Sequence, residues 1–567
     1  MKSQWLLTLL AGSAATAFQP ARPGAEQLIH ALHGPKALKT HQQQQRALFE
    51  KRAPVITESP PSGHRFLTDK TSPFAVNGTG LPDIKFDVGE SYSGDLPVSN
   101  KTDEANKLFF WYFPTANEEF KDKKEIVIWL NGGPGCSSLL GFFQENGPLV
   151  WQPGTKEPVQ NPWSWHLLSN VVWVEQPVGV GYTEGKPTIH NEDELAEQFK
   201  GFWKNFVDTF DLHDYKVYVT GESYGGMYCP YIASHFVDAK DTKYFDVAGM
   251  LVYDGIFYGD MIQSNVIAWD YMVRHPDQFA FDDNSKKHFK ETSDKCGFGA
   301  YNKKYLKFPP PGPQPHYPPG VKVYPNGSAI AIPECGSYWN DIYEAAIYFN
   351  PCFNIYNILD HCPLPYDPLG DGYAYFDRAD VKKALHAPLA NNWTECSGPV
   401  YDNPDGDDPS RPSGDYEVGH VIDATKNVIL AQGEMDFILM TNGLLLGIQN
   451  TTFGGKLGFQ SVPSDPFYVP RYGLKPGLED DKFYGASLPA GSGVMGTTHS
   501  ERGLTFVVTQ LAGHEGPQYA PASSLRHLEK LLGRVDSLSS TKPFTLPQLK
   551  NITQDKPPLG KGIVKIP

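Results

Sequence analysis

Residues 215–226 read Tyr-Lys-Val-Tyr-Val-Thr-Gly-Glu-Ser-Tyr-Gly-Gly. β-Forming residues lead into a Gly-Glu-Ser-Tyr-Gly turn, and residues 227–236 then carry the apolar spacing of a helix. The stretch predicts a strand, a sharp turn and a helix in immediate succession. Gly221 and Gly225 bracket Ser223 in a G-x-S-x-G pattern, where missing side chains let strand and helix approach while the serine is held strained and exposed. Ser223 is therefore the candidate nucleophile.

The chain around this unit supplies a sheet for it. Residues 125–130 form a short apolar run of the kind buried in a sheet, ending at Asn131-Gly132-Gly133-Pro134-Gly135. Gly-rich backbone after a buried strand can turn its N–H groups outward, as an oxyanion hole requires. Residues 171–174 repeat the pattern, and 192–210 have helical spacing with a stripe of Leu195, Phe199, Phe202, Phe206 and Phe210. A strand over 249–253 ends at Asp254-Gly255. Such alternation predicts an α/β protein with a mostly parallel central sheet and helices on both faces.

Upstream, residues 81–114 read as a meander with strands at 84–88 and 108–113. The alternation stops over 256–388, which holds four cysteines and a Pro-rich run at 309–319, and this stretch reads as an inserted cap. The sheet resumes at 427–436 and 504–508, and 521–532 is the closing helix, with proline in its first turn. The catalytic domain is thus placed at 53–541, and the Pro- and Lys-rich 542–567 reads as a mobile tail.

The start carries address labels. Lys2, an apolar run over 5–10 and Ala15-Thr16-Ala17 make residues 1–17 a secretory signal peptide, and 18–52 resemble a propeptide ending at a dibasic Lys51-Arg52 site. Sequons at Asn77, Asn100, Asn326, Asn392, Asn450 and Asn551 agree with glycosylation in a secretory pathway, leading outside the cell or to a vacuole or lysosome. No other segment has eighteen consecutive apolar residues, so no membrane anchor is expected. A net charge of −15 argues against nucleic acid as a partner. Seven cysteines imply up to three disulfides with one thiol left over, and Cys229, on the helix after Ser223, is the expected odd one. The remaining spacings repeat no C-x-x-C pattern, which argues against a metal.

A serine hydroxyl needs a histidine to take its proton and a carboxylate to orient that histidine. Asp436 and His514 follow later strands, giving the order Ser, Asp, His found in α/β-hydrolases. At this point a family resemblance becomes specific. Trp129-Leu130-Asn131-Gly132-Gly133-Pro134-Gly135-Cys136-Ser137-Ser138 with Glu145-Asn146-Gly147-Pro148 resembles the substrate-binding signature of serine carboxypeptidases. Gly221-Glu222-Ser223-Tyr224-Gly225-Gly226 resembles that family's G-E-S-Y-A-G, and Asp436-Phe437-Ile438 and Gly513-His514-Glu515 its acid and histidine loops.

The resemblance implies an α/β-hydrolase that removes C-terminal residues from peptides and proteins at acidic pH, with no cofactor. It implies Ser223, His514 and Asp436 as the triad and the N–H groups of Gly133 and Tyr224 as the oxyanion hole. Asn131, the N–H of Gly132, Glu145 and Glu222 would grip the substrate carboxylate, provided at least one glutamate is protonated. It also implies a Cys136–Cys396 bond, and leaves three pairings open for Cys296, Cys335, Cys352 and Cys362. Three departures stand out: Gly225 for the usual alanine, Asp254 where Asn is common, and Glu515-Gly516 after the histidine. A glutamate at 515 would line the pocket for the leaving residue and implies acceptance of C-terminal Lys or Arg. An acyltransferase using the same acyl-enzyme, or a binding protein with a vestigial triad, are the competing readings.

Overall fold

Strands that are apolar at every position suit a sheet covered on both faces. In the computed structural model, which describes residues 64–360, 362, 367–370, 374–472, 491–547 and 549–550, ten strands form one such sheet. In chain order they are β1 Tyr92–Pro97, β2 Lys107–Phe113, β3 Glu125–Leu130, β4 Asn170–Glu175, β5 Lys216–Glu222, β6 Asp246–Tyr253, β7 Val428–Gly433, β8 Asp465–Val469, β9 Gly493–Glu501 and β10 Leu504–Thr509. Their spatial order is β1-β2-β4-β3-β5-β6-β7-β10-β9-β8. The run from β4 to β10 is parallel, and the strands outside it at either edge pair antiparallel.

The two-residue period of each strand divides the core in two. Ile126, Ile128 and Leu130 of β3 face one side, with Val217 and Val219 of β5 and Leu430 of β7. Val127, Trp129, Tyr218 and Ile429 face the other. The first side is covered by helix α2, Glu192–Phe210, and helix α3, Gly225–Ala239. Asn191 caps α2 by accepting from Glu194 N at 2.9 Å, and the predicted stripe from Leu195 to Phe210 is buried throughout. Each such aromatic contributes roughly 1.5–3 kcal/mol when fully buried. The opposite side is covered by helix α1, Leu139–Gln144, and by a helix at Pro521–Leu531.

The insertion between β6 and β7 carries helices α4 Val266–Arg274, α5 Asp283–Cys296, α6 Phe298–Tyr305 and α7 Tyr338–Phe349. It seats on the acid loop through Phe437, whose ring meets Tyr271, Phe279 and Trp339 at 5.4, 4.8 and 5.6 Å, and whose carbonyl accepts Trp339 Nε1 at 2.8 Å.

Several expectations need correction. Residues 84–88 make no strand: Asp87 Oδ1 accepts Gly89 N at 2.8 Å in a turn, and Ile84 and Val88 pack on the sheet from a loop. Residues 375–388, counted with the cap, pack against the sheet, with Ser93 Oγ donating to Leu385 O at 2.7 Å and Phe376 buried. Part of the expected mobile tail is docked. Phe544 and Leu546 are buried, and Glu529 accepts the N–H of Thr545 at 2.5 Å while a buried Arg526 donates to the carbonyls of Ser540 and Lys542. The apolar pair Phe544 and Leu546 outweighs the surrounding prolines. The signal peptide and propeptide read at 1–17 and 18–52, and residues 551–567 with Asn551, lie outside the described residues. Among the described residues no helix is long and apolar enough to cross a membrane.

Replacing Phe544 by Ala should lower stability by about 3 kcal/mol in chemical denaturation if the docked segment belongs to the folded domain. A change within about 0.5 kcal/mol would return this segment to the tail.

Candidate active site

The C-terminal ends of the neighbouring strands β5, β6, β7 and β10 line up Ser223, Asp254, Asp436 and His514. At the end of β5, Ser223 sits in the left-handed region with φ 57°, a conformation that costs a non-glycine residue about 1–2 kcal/mol. Backbone bonds to the β6 end hold it there: Ser223 N donates to Tyr253 O at 3.0 Å, and Ile256 N donates to Ser223 O at 3.0 Å. Gly221 is required, since a Cβ there would fall 2.4 Å from Leu130 O. Gly225 is not: a Cβ there would meet Leu130 O at 3.5 Å and Cys229 Sγ at 3.8 Å, ordinary contacts. Cys229 itself is a free, buried thiol.

Asp436 and His514 are joined by a 2.8 Å bond between Oδ2 and Nδ1. Asp436 Oδ1 accepts from the N–H groups of Ile438 and Leu439 at 2.7 and 3.2 Å, so the carboxylate is held from both sides. Nε2 of His514 is buried without a hydrogen-bond partner. Burial disfavours the imidazolium, whereas the carboxylates of Asp436, Glu515 and Glu222 favour it.

One segment of the insertion fixes both loops, and the sequence reading did not single it out. Tyr356 O accepts His514 N at 2.7 Å, Ile355 O accepts Phe437 N at 2.9 Å, and Ile358 N donates to Met435 O at 3.1 Å. The Tyr356 ring lies 5.3 Å from that of His514. A Cys352–Cys362 disulfide brackets this segment, and Cys296 pairs with Cys335. The cysteine spacing was the available signal, but it could not say which pair closed which loop.

The glycine loop after β3 lies against the elbow. A Cβ on Gly132 would fall 2.4 Å from Tyr224 N and 2.7 Å from Ser223 Cβ, so only glycine allows the approach. Gly133, half-exposed, follows. Cys136 and Cys396 are bonded, with Ser137 N donating to Glu395 O and Ser397 N to Gly135 O, both at 2.8 Å. The loop is thereby pinned from its outer side.

Asn131 organises the acids beside it. Its Oδ1 accepts Trp129 Nε1 at 2.7 Å and Gly141 N at 3.1 Å, which turns Nδ2 toward Glu145 Oε1 at 3.2 Å and Glu222 Oε1 at 2.5 Å. Glu145 and Glu222 are 1% and 4% exposed, and Oε2 of each is buried and meets no donor. Burial raises both carboxyls well above the ordinary range, and the charge of Glu145 adds to the rise at Glu222. Glu515 is buried close enough to add to that repulsion. Among the described residues no cluster of His, Cys, Asp or Glu is arranged to hold a metal ion.

A carboxyl with a raised folded-state pKa keeps its proton in the native protein while the unfolded chain loses it near the ordinary value of 4.5. Stability should therefore decline as pH rises from that value through the pair's raised range. Thermal melts should show a falling midpoint between about pH 5 and pH 8, and Glu222→Gln should reduce the fall, since it removes the proton that must be lost. An identical decline in the variant would mean the pair is already ionised.

Comparison with known proteins identifies the family of the chain. A family profile described as serine carboxypeptidase matches residues 82–534. A probable serine carboxypeptidase of Arthroderma benhamiae is 44% identical over 494 residues, covering 83% of this chain and 88% of the relative. Serine-type carboxypeptidase F of Aspergillus niger is 41% identical over 500 residues, covering 84% and 90%. The crystal structure of a prohormone-processing carboxypeptidase from Saccharomyces cerevisiae shares the fold, with TM-score 0.63 at 19% identity over 83% of this chain and 98% of that one. The chain belongs to the serine carboxypeptidase family, on an α/β-hydrolase fold.

Proposed function

We propose that this carboxypeptidase removes C-terminal residues by an acyl-enzyme route that depends on a protonated glutamate pair. Ser223 attacks the scissile carbonyl while His514 Nε2 takes its proton and later returns it to the leaving amine. Asp436 holds the imidazole through Nδ1. The N–H groups of Gly133 and Tyr224 receive the developing oxyanion, each donor being worth about 2.7–4 kcal/mol in the transition state. Water then releases the shortened peptide from Ser223.

The observation that carries this reading is the pair Glu145 and Glu222, aligned by Asn131 with an unpartnered oxygen on each. An ionised pair would repel a substrate carboxylate, whereas a neutral carboxylic acid donates a hydrogen bond to it. Asn131 Nδ2 and the Gly132 N–H complete the grip. As pH rises through the raised range of the pair, the donor is lost, so recognition of free C-termini weakens toward alkaline pH and acidic operation follows. Glu515, beside this pair, lines the pocket for the leaving residue and favours Lys or Arg there.

The three disulfides suit an oxidising compartment, and the sequons Asn77, Asn100, Asn326, Asn392 and Asn450 occupy exposed or half-exposed positions. Both features support passage through the secretory pathway and glycosylation on the way, ending outside the cell.

At mildly acidic pH, a blocked dipeptide with a free C-terminus should be cleaved well above its C-terminal amide, and Ser223→Ala should abolish both reactions. Equal cleavage of acid and amide would remove the carboxylate grip, and activity surviving in Ser223→Ala would remove the nucleophile. Glu515→Gln should lower the preference for a C-terminal Lys over Leu by about tenfold if the charge faces the leaving side chain. An unchanged ratio would take Glu515 out of that pocket.

A further inference from the structure

Of Ser223, Asp254, Asp436 and His514, only Asp254 has no part in the reaction as drawn. It is fully buried, and its φ of 43° is a left-handed conformation that Asp and Asn tolerate better than most residues. Oδ1 is accounted for: it accepts Gly433 N at 2.7 Å and Gln432 Nε2. Oδ2 is buried and meets no N–H or O–H donor. Gly433 brings the carboxyl beside that of Asp436, since its N–H donates to Asp254 Oδ1 and its carbonyl accepts Asp436 N at 3.4 Å. The titratable groups facing it are Asp436 and Glu222 from the adjoining loops, Glu145 beyond them, Tyr253 next in the chain and Tyr271 on α4. None of these is a cation.

Two carboxyls pressed together in the interior do not both ionise. Asp436 has the claims on the negative charge: two backbone N–H donors on Oδ1 and His514 on Oδ2. Asp254 has one backbone N–H and one amide on a single oxygen. The proton therefore belongs on Asp254 Oδ2, where it turns an orphaned acceptor into a donor.

We propose that Asp254 is a positioning residue of the triad: as a neutral acid it donates a hydrogen bond from Oδ2 to the Asp436 carboxylate, which keeps Asp436 the single anion on which His514 is oriented. The proposal rests on the assignment of Ser223, His514 and Asp436 given above. Burial, and next the charge of Asp436, raise the Asp254 carboxyl well above its ordinary range, in the same direction. When pH rises far enough to remove this proton, the donor is lost and a second anion appears beside Asp436. The result is a loss of kcat toward alkaline pH that is separate from the loss of C-terminal binding caused by the glutamate pair.

The two losses separate with a substrate that has no C-terminal carboxylate. Using the processed enzyme and a blocked amino-acid ester, kcat is measured across pH for wild type, Asp254→Ala, Asp254→Asn and, as a control, Ser223→Ala. Asp254→Ala should lower kcat by about tenfold at acidic pH, as the loss of one hydrogen bond to a charged group predicts. Asp254→Asn, whose amide NH2 donates at every pH, should recover most of that loss, and its alkaline limb should lie at least about one pH unit above that of wild type. Coincident limbs for wild type and Asp254→Asn would overturn the proposal. So would an Asp254→Asn protein that stays as impaired as Asp254→Ala, or one that fails to fold, because the amide reproduces each hydrogen bond of the neutral acid. Ester turnover surviving in Ser223→Ala would instead overturn the triad assignment, leaving the two failures distinguishable.

Discussion

Moving a carboxylate out of water without a cation costs several kcal/mol, and a second one beside it costs more. At the C-terminal rim of its sheet this chain buries Glu145, Glu222, Asp254 and Asp436 in a row of neighbouring acids, with the imidazole of His514 bonded to the last of them. The arrangement is tenable because the acids are used as pairs. In each pair, on the reading proposed above, one oxygen set is satisfied by fixed donors and the other carries a proton. Asn131 supplies the donors for Glu145 and Glu222, and the N–H groups of Ile438 and Leu439 supply them for Asp436. With that proton count the site would read a carboxylate ligand as a hydrogen-bond acceptor rather than as one more like charge.

The fold serves this rim by holding loops from outside the sheet. Strand ends alone place side chains in a row, but the catalytic bonds need the loops after β3, β7 and β10 fixed to fractions of an ångström. Two clamps do so. The Cys136–Cys396 bond and its flanking backbone bonds fix the glycine loop, and residues 355–358 tie the acid and histidine loops to each other. Phe437 then locks the acid loop under the aromatic face of the insertion. The insertion is thus a structural partner of the loops that bear Asp436 and His514.

Much of this was legible because its causes are local. The elbow around Ser223, the buried runs of β3 and β4 and the stripe of α2 follow from residue spacing, and the strand ends bearing Asp436 and His514 follow from apolar runs ending in Gly-rich loops. What escaped is non-local or has no periodic signal. The edge strand β8 is short, with only Phe467-Tyr468-Val469 as an apolar run, and β9 beside it carries Thr497, Thr498, His499, Ser500 and Glu501 where a buried strand would be aliphatic. Residues 84–88 alternate like a strand but lack a neighbour to pair with. Tyr356 and Asp254 owe their importance to partners 158 and 182 positions away, His514 and Asp436, which no window of sequence contains. The docking of Phe544 depends likewise on Arg526 and Glu529 already being in place.

The central claim is that a proton on the glutamate pair recognises the substrate carboxylate. Calorimetry tests it directly, by titrating Ser223→Ala with a blocked dipeptide and with its C-terminal amide near neutral pH, in buffers of differing ionisation enthalpy. The account predicts net proton uptake of up to one per free-acid ligand bound, with affinity falling as pH rises, and neither effect for the amide. Free-acid binding without proton uptake, and with an affinity indifferent to pH, would contradict it.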